Sequence, residues 1–284
     1  MAFSNKPVRR SQLISPWGVG AIVPFINDES LMIAGLDMWR YNNAEAFRIE
    51  DERLIKRLGV KELRWPPDFR DRKADQENYN LKIPAVRFPT WHYCPFCGTM
   101  MKAGLYTAQP VCDCYQWTKG RKCDPKSRYK RKLIPERFVV VCPDGHVDDF
   151  PVAEWLHNDH VHLYNPGTCR IRRSTGGTSA SLSGVFYECS CGARKSIAGA
   201  TRPGALNRIG YKCKGTKPWL GIEQAEKESC GREDIKVLLR GATNVWFGDT
   251  RSSIHIPTED EATSRKIVGI LNEYFQVLRT QRVN

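Results

Sequence analysis

The fold of this chain is decided by the stretch Trp91-His92-Tyr93-Cys94-Pro95-Phe96-Cys97-Gly98. Two thiols flank a Pro-Phe pair, and a glycine follows the second thiol. In such a tight turn both sulfur atoms point to one place, and the glycine lets the backbone fold back toward them. A zinc ion needs four ligands in a tetrahedron, so we expect two more ligands downstream. The alternative is a turn with two buried thiols that bind no metal.

Further candidate ligands follow along the chain. The candidates comprise all eleven cysteines and one histidine, namely Cys94, Cys97, Cys112, Cys114, Cys123, Cys142, His146, Cys169, Cys189, Cys191, Cys213 and Cys230. An odd number of cysteines favours metal binding over a disulfide framework. Twelve candidates suffice for three sites of four ligands, and we predict two or three structural zinc ions with no open coordination position.

The distribution of these ligands among the sites stays open. The set that we favour for one site comprises Cys189, Cys191, Cys213 and Cys230. The Cys94 and Cys97 pair closes either with two of Cys112, Cys114 and Cys123, or with Cys142 and His146. In the first case a third ion has the candidate ligands Cys142, His146 and Cys169, joined by His157, His160 or His162.

The composition indicates a folded and basic protein. The length of 284 residues predicts about two domains, and a hydrophobic fraction of 41% with 8 Trp can build a core. The formal net charge is +13, from 44 basic and 31 acidic residues. Such a balance favours a polyanionic partner, most often nucleic acid. We see no signal peptide and no run of about 18 apolar residues, so we expect a cytoplasmic protein without a membrane partner.

The charge is concentrated in residues 119–132, which we call the basic segment. Its basic residues are predicted to contact DNA, and they are Arg121, Lys122, Lys126, Arg128, Lys130, Arg131 and Lys132. Arg172 and Arg173 form a second predicted contact. Basic groups neutralise phosphates, and the rings of Trp117 and Tyr129 are candidates for stacking on a base of a single strand. The alternative is a solvated charged loop.

We predict an α+β fold of small irregular antiparallel sheets and short helices, braced by the zinc sites. The segments are a 1–90 N-terminal α+β region, a 91–170 first zinc-binding module with the basic loop, a 171–240 second zinc-binding module, and 241–284 with a strand and the C-terminal helix. Helical spacing predicts a helix over 45–58 and an amphipathic helix over 259–278. The second helix packs on the core or docks a partner.

Catalytic motifs are mostly missing. The sequence has no P-loop, no zinc-deaminase pattern and no metalloprotease motif. Asp234-Ile235-Lys236 matches half of a restriction-like nuclease motif, for which Asp144 or Asp148 is a candidate first carboxylate. The interpretation that we favour instead is that Asp148 and Asp149 cap a helix around Trp155. We therefore predict no catalytic activity of the chain's own, with a metal-dependent nuclease as the alternative.

Several short motifs resemble one known family. They are Arg9-Arg10-Ser11-Gln12-Leu13-Ile14, Trp17-Gly18-Val19-Gly20-Ala21, Phe138-Val139-Val140-Val141-Cys142, Gly145-His146-Val147-Asp148-Asp149-Phe150-Pro151, Lys217-Pro218-Trp219-Leu220 and Arg240-Gly241-Ala242-Thr243-Asn244-Val245. They resemble the N-terminal part of the DrmB family, a component of the bacterial DISARM anti-phage system. The resemblance runs from residue 9 to about residue 257. It implies a non-catalytic partner of the superfamily-two helicase DrmA that engages phage DNA. A scaffold that binds only protein is the further alternative.

Overall fold

In a computed structural model of the chain, the described residues are 9–25, 28–67, 81–159, 163–176, 181–221, 230–254, 267–271 and 274. The chain divides into two compact units. The first unit comprises Met1–Phe47 and Trp65–Thr250, and the second comprises Arg48–Arg64 and Arg251–Asn284. The segment boundaries predicted at residues 90, 170 and 240 stay predictions.

The described residues form short strands, two short α-helices and part of a further helix within residues 267–274. The strands are β1 (Ile22–Pro24), β2 (Ser30–Ile33), β3 (Arg48–Ile49), β4 (Leu63–Arg64), β5 (Ala85–Arg87), β6 (Trp91–Tyr93), β7 (Met100–Lys102), β8 (Ile134–Pro135), β9 (Phe138–Val141), β10 (Val147–Asp149), β11 (Ile171–Thr175), β12 (Val185–Cys189), β13 (Arg194–Ser196) and β14 (Lys236–Leu239). The helices are α1 (Glu52–Leu58) and α2 (Val152–His157).

Within the described residues, every strand pairing is antiparallel. There the first unit holds four three-stranded sheets with the orders β1-β2-β5, β7-β6-β8, β10-β9-β14 and β11-β12-β13, and the second unit holds the β3-β4 pair. Small antiparallel sheets, few short helices and three buried Cys/His clusters confirm the predicted fold class. Among the residues described, we find no helix with the length and apolar character that crossing a membrane requires.

The main core forms where strands β9, β10 and β12 meet α2. Phe150 is 1% exposed and contacts three aromatic rings. The ring centroids of Phe138, Trp155 and Tyr187 lie 6.3, 6.0 and 5.9 Å from its own. Such pairs add about 0.5–1.5 kcal/mol each beyond the area that they bury. This aromatic cluster forms a rigid core for the sheets, and the loops at the ends of their strands extend from that core.

Two predicted elements differ from the structure. Only the second half of the 45–58 helix is α-helical, because Arg48 and Ile49 pair with Leu63 and Arg64. The Asp51 side chain then accepts a hydrogen bond from the Leu54 amide and starts α1 there. The prediction that Asp148 and Asp149 cap a helix is wrong, since both lie in β10.

The predicted C-terminal helix is described only in part. Residues 267–271 and 274 are helical. The remainder of the predicted range, 259–266, 272–273 and 275–278, lies outside the described residues.

Candidate metal centres

Four cysteines meet at the knuckle formed by residues 94–98. Cluster 1 comprises Cys94, Cys97, Cys112 and Cys123, whose sulfur atoms all lie within 4.8 Å of one another. The Cys94 and Cys123 sulfurs are 3.7 Å apart, and the Cys97 and Cys112 sulfurs 3.6 Å apart. Thiolates at about 2.3 Å from a tetrahedral zinc ion lie about 3.8 Å from each other. The four buried side chains therefore fit one metal ion.

Local hydrogen bonds set the shape of the knuckle. The Gly98 amide donates to the Cys94 carbonyl at 2.9 Å, and the Cys94 amide donates to the Thr99 carbonyl at 2.8 Å. Gly98 has φ +80°, and a Cβ on it would lie 2.1 Å from the Arg173 carbonyl oxygen. Only glycine fits this turn, because both the backbone conformation and the neighbouring strand exclude a side chain.

The thiols of cluster 1 are crowded and buried. Burial, together with the neighbouring thiols, raises the pKa of Cys123 to about 12 and raises that of Cys112 well above the usual range. Protons are therefore held on these sulfurs when no cation is close. A coordinated metal ion reverses this preference, because its charge stabilises thiolates. The arrangement is chemically suited to a cation.

Cluster 2 joins two distant parts of the chain and comprises Cys142, His146, Cys213 and Cys230. The Cys142 sulfur lies 3.2 Å from Nδ1 of His146. The Asp144 amide donates to the Cys142 sulfur at 3.3 Å, an interaction that stabilises a thiolate. On the other side, the Cys213 amide donates to the Arg232 carbonyl and the Gly231 amide to the Cys213 carbonyl, at 2.8 and 2.9 Å. These bonds hold the two cysteine turns against each other.

Cluster 3 comprises His157, Cys169, Cys189 and Cys191. His157 is the last residue of α2, and its Nε2 lies 3.5 Å from the Cys191 sulfur. Its Nδ1 donates to the Ala153 carbonyl oxygen at 2.8 Å. That bond places the proton on Nδ1 and the lone pair on Nε2, which is the usual arrangement for a metal-ligating histidine. Clusters 2 and 3 are thus Cys₃His sets, whereas cluster 1 is a Cys₄ set.

Strand pairing explains which ligands come together. β9 ends just before Cys142, and its antiparallel partner β14 begins shortly after Cys230. Residue 171 pairs with residue 189 in the β11–β12 ladder, which places Cys169 beside Cys189 and Cys191. The expected grouping of Cys189 and Cys191 with Cys213 and Cys230 is therefore wrong. The structure separates that set into two clusters.

Other ligand assignments are also decided by the structure. Cys94 and Cys97 close with Cys112 and Cys123, which is the first of the two predicted alternatives, and not with Cys142 and His146. Cys169 shares a cluster with His157 and not with Cys142 and His146. His160 and His162 lie outside the described residues.

Cys114 belongs to none of the three clusters. Its amide donates to the Cys112 sulfur at 3.3 Å, and its own sulfur lies 3.9 Å from Nζ of Lys130. The structure does not support its inclusion among the metal ligands, because its sulfur lies outside the ligand group. Its backbone amide instead donates a hydrogen bond to the ligand Cys112. The structure gives it a supporting position beside cluster 1.

The basic segment lies on the outside of cluster 1. Its seven predicted contact residues are all exposed. The guanidinium carbons of Arg131 and Arg121 lie 4.5 and 5.6 Å from the ring centroid of Phe96, at the tip of the knuckle. Tyr129 is 82% exposed. The prediction that Trp117 is a stacking platform is wrong, because its ring is buried and its Nε1 donates to Thr99 Oγ1 at 2.8 Å.

Arg172 and Arg173 have acidic neighbours inside the protein. The Nε of Arg172 donates to Glu188 Oε2 at 2.8 Å, and its guanidinium lies over the Trp117 ring. The Nε of Arg173 lies 3.6 Å from Oε2 of the buried Glu136. Their role as DNA contacts stays a prediction, and the described contacts give both of them a part in packing β11 against the knuckle.

The carboxylates of the nuclease alternative are bound by basic or hydroxyl groups. Arg232 donates to Asp234 at 2.6 Å and to Asp144 at 3.2 Å. This contact with Arg232 lowers the pKa of Asp234. Asp148 accepts from the Tyr211 hydroxyl at 3.0 Å. In the described part of the chain, none of the groups of three or more neighbouring metal-ligating side chains includes these carboxylates.

Two comparisons place the chain among known proteins. Residues 9–247 match a family described as Domain of unknown function (DUF8724). The chain is 34% identical over 235 residues to the DISARM protein DrmB of Bacillus paralicheniformis, and the alignment covers 82% of this chain and 37% of that protein. The chain therefore spans little more than a third of the length of this relative.

Proposed function

The chain belongs to the family described as Domain of unknown function (DUF8724) and is homologous to the DISARM protein DrmB over 82% of its length, and from that premise we propose that it is a non-catalytic, zinc-binding subunit of a DISARM antiviral defence system that contacts DNA and partners a superfamily-two helicase. The observation that carries the proposal is the set of three buried four-ligand clusters, one of which carries an exposed basic segment. Zinc, DNA and the helicase are the three parts of the proposal, and each has its own support.

Zinc is the ion that suits these donor sets. Cys₄ and Cys₃His are the ligand sets of structural zinc sites, in which protein fills all four positions. A structural zinc ion contributes about 10–16 kcal/mol of apparent binding energy, compared with about 5–15 kcal/mol for the net stability of a domain. The positive charge of such ions would stabilise the buried thiols as thiolates. The ions would also cross-link the loops at the ends of the sheets. With every position filled by protein, the chemistry of these sites is structural.

DNA contact is supported by where the positive charge lies. Cys123 of cluster 1 is part of the basic segment, and an antiparallel bridge pairs Val111 with Lys132 at the end of the segment. The segment is thus tied down at several points while its basic side chains remain exposed. DNA binding then orders less backbone than it would in a free loop, so less conformational entropy is lost. Partnership with a helicase is supported only by the family resemblance.

The test combines metal analysis with a DNA titration of the natively purified chain. We expect about three zinc ions per chain by elemental analysis, one for each cluster. The triple variant Arg128→Ala, Arg131→Ala and Lys132→Ala should bind a single-stranded oligonucleotide more weakly by fluorescence anisotropy. Its slope of log affinity against log salt should fall by about 2, because each lost phosphate contact on a single strand contributes about 0.7.

The control is a second triple variant, Arg202→Ala, Arg208→Ala and Lys236→Ala, which removes the same charge from exposed positions outside the basic segment. It should retain nearly all of the salt slope. Equal losses in the two variants would mean that only net charge matters. DNA binding that does not depend on salt would contradict contact through the basic segment. No DNA binding together with intact binding of a protein partner would favour the scaffold alternative.

A further inference from the structure

Two consecutive hydrogen bonds connect Trp117 to cluster 1. The indole Nε1 of Trp117 lies 2.8 Å from Oγ1 of Thr99, and the same oxygen lies 3.2 Å from the Cys97 sulfur. Thr99 is completely buried, and Trp117 and Cys97 are 5% and 6% exposed. Because all three groups are shielded from solvent, bulk water does not replace a partner that is removed from either bond.

The chemistry of the three groups sets the direction of both bonds. An indole N–H can only donate, so the Thr99 hydroxyl accepts from Trp117. The hydroxyl has one proton of its own, which is then directed to the Cys97 sulfur. The thiolate is the form of cysteine that binds a metal, and a thiolate can only accept. The metal-binding form of Cys97 therefore matches the donor that Thr99 offers.

The backbone holds Thr99 beside the ligands. Its carbonyl accepts a hydrogen bond from the Cys94 amide at 2.8 Å, and an antiparallel bridge pairs it with Arg172 of β11. Thr99 thus contacts two ligands of cluster 1, Cys94 through its carbonyl and Cys97 through its hydroxyl. A β-branched side chain is also restricted at χ1, which limits the directions that the hydroxyl can take.

The indole of Trp117 is held by its neighbours. The guanidinium carbon of Arg172 lies 4.9 Å from the centroid of the Trp117 ring, and the Tyr115 ring packs edge-on with its centroid at 4.8 Å. These contacts on the ring leave Nε1 directed toward Thr99. The tryptophan that is closed to a nucleic-acid base therefore has a different use, inside the knuckle.

We propose that Thr99 and Trp117 are positioning residues for the metal ion of cluster 1. Trp117 orients the Thr99 hydroxyl, and that hydroxyl stabilises the Cys97 thiolate, because a hydrogen bond to the charged form of a group favours that form. Partners of this kind commonly change metal affinity by about 10–100-fold. The inference rests on the zinc part of the proposed function and adds two residues on which the affinity of cluster 1 depends.

The experiment measures zinc binding at cluster 1 in the full chain. Natively purified protein is titrated with a chelator, and alkylation of the four cluster 1 cysteines is followed by mass spectrometry. Thr99→Val removes the hydroxyl at nearly constant volume and should lower the zinc affinity of cluster 1 about tenfold. Thr99→Ser keeps the hydroxyl and should retain most of the wild-type affinity.

The control for a general loss of stability is Thr90→Val. Thr90 is also buried, and its hydroxyl donates to Asp149, which belongs to none of the three clusters. Thr90→Val should lower the urea midpoint of unfolding while the zinc affinity of cluster 1 stays close to the wild-type value. The comparison separates a loss of packing from a loss of support for the ligand.

Trp117→Phe keeps an aromatic ring and removes the N–H donor. It should also weaken zinc binding at cluster 1, but by less than Thr99→Val, because the hydroxyl remains and has only lost its orientation. The double variant should lose no more affinity than Thr99→Val alone, since both changes act through the same hydroxyl. Losses that add in the double variant would contradict this arrangement.

Two further results would overturn the inference while the zinc part of the proposed function stands. One is wild-type affinity of cluster 1 in Thr99→Val, and the other is equal weakening by Thr99→Val and Thr90→Val, which would assign the effect to packing. A wild-type chain that contains no zinc after native purification would overturn the proposed zinc sites and this inference together.

Discussion

Cys112 and Cys114 are separated by one residue and are both buried, but only Cys112 belongs to cluster 1. The backbone between them turns, since Cys114 has φ +58°. That turn directs the Cys114 amide to the Cys112 sulfur and the Cys114 side chain toward Lys130. A pair of neighbouring cysteines thus divides into a ligand and a support.

Cys114→Ser should leave the zinc content at the wild-type value, whereas Cys112→Ser should lose one ion per chain. The reason is that only the Cys112 sulfur lies within ligand distance of the other three. Elemental analysis of the purified variants gives the numbers directly. Loss of an ion in the Cys114 variant alone would show that the ligands exchange in solution.

Gly98→Ala should destabilise the chain by about 3 kcal/mol, from about 1 kcal/mol of left-handed backbone strain and about 2 kcal/mol of overlap with the Arg173 carbonyl. Gly145→Ala is the matched control, because Gly145 has nearly the same φ of +81° but no atom within 4 Å of its Cβ position. Denaturant unfolding at constant zinc measures both changes. Equal losses of unfolding free energy in the two variants would rule out overlap with the Arg173 carbonyl as the cause.

At the scale of elements, the ends of antiparallel ladders gather the ligands. The β9–β10 hairpin carries Cys142 and His146 in its turn, and β14 on the other edge of β9 brings Cys230 to the same end. The sheets are in turn joined by buried polar contacts. Asp149 of β10 accepts a hydrogen bond at 2.7 Å from the Thr90 amide, directly before β6.

This contact predicts a pH dependence. Burial raises the pKa of Asp149 above its ordinary value of 3.8, so the folded chain keeps the proton to a higher pH than the unfolded chain does. The stability linked to this group is full below pH 3.8 and is lost as the pH rises through the folded pKa, at about 1.4 kcal/mol per pH unit between the two values. Asp149→Asn does not titrate and lacks this loss.

The wild type should therefore lose stability relative to Asp149→Asn as the pH rises above 4. Urea unfolding of both proteins measures the difference in their free energies of unfolding. The measurement is made at one zinc concentration and over a series of pH values. Effects of pH on the thiol ligands are common to both proteins and cancel in this difference. A difference that is constant with pH would indicate that Asp149 has the same pKa in the folded and unfolded chains.

At the scale of the whole molecule, the three clusters differ in how deeply they are buried. All four ligands of cluster 1 are buried, while Cys230 in cluster 2 and Cys191 in cluster 3 are half-buried. Cluster 2 also joins segments that are far apart in the sequence, from residue 142 to residue 230. Access for a chelator and the consequences of metal loss should therefore differ among the clusters.

A colorimetric chelator should release zinc in two phases, with two ions of three leaving first and the ion of cluster 1 leaving about tenfold more slowly. Mass spectrometry of thiols alkylated during the reaction identifies the cluster that opens, with Cys191 and Cys230 expected before Cys94. A single phase for all three ions, or alkylation of cluster 1 first, would contradict the link between burial and release.

The sequence by itself determined the chemistry of this protein. The Cys-Pro-Phe-Cys-Gly knuckle, the number of thiols and the basic segment predicted zinc-type clusters, small antiparallel sheets and a basic surface, because these depend on residue type and local spacing. Only the tertiary structure decided which ligands share a cluster, that Cys114 stands outside, and that Trp117 is buried while Tyr129 is exposed. The physical reason is that these outcomes depend on strand register and burial between residues far apart in the chain, and no local pattern encodes them.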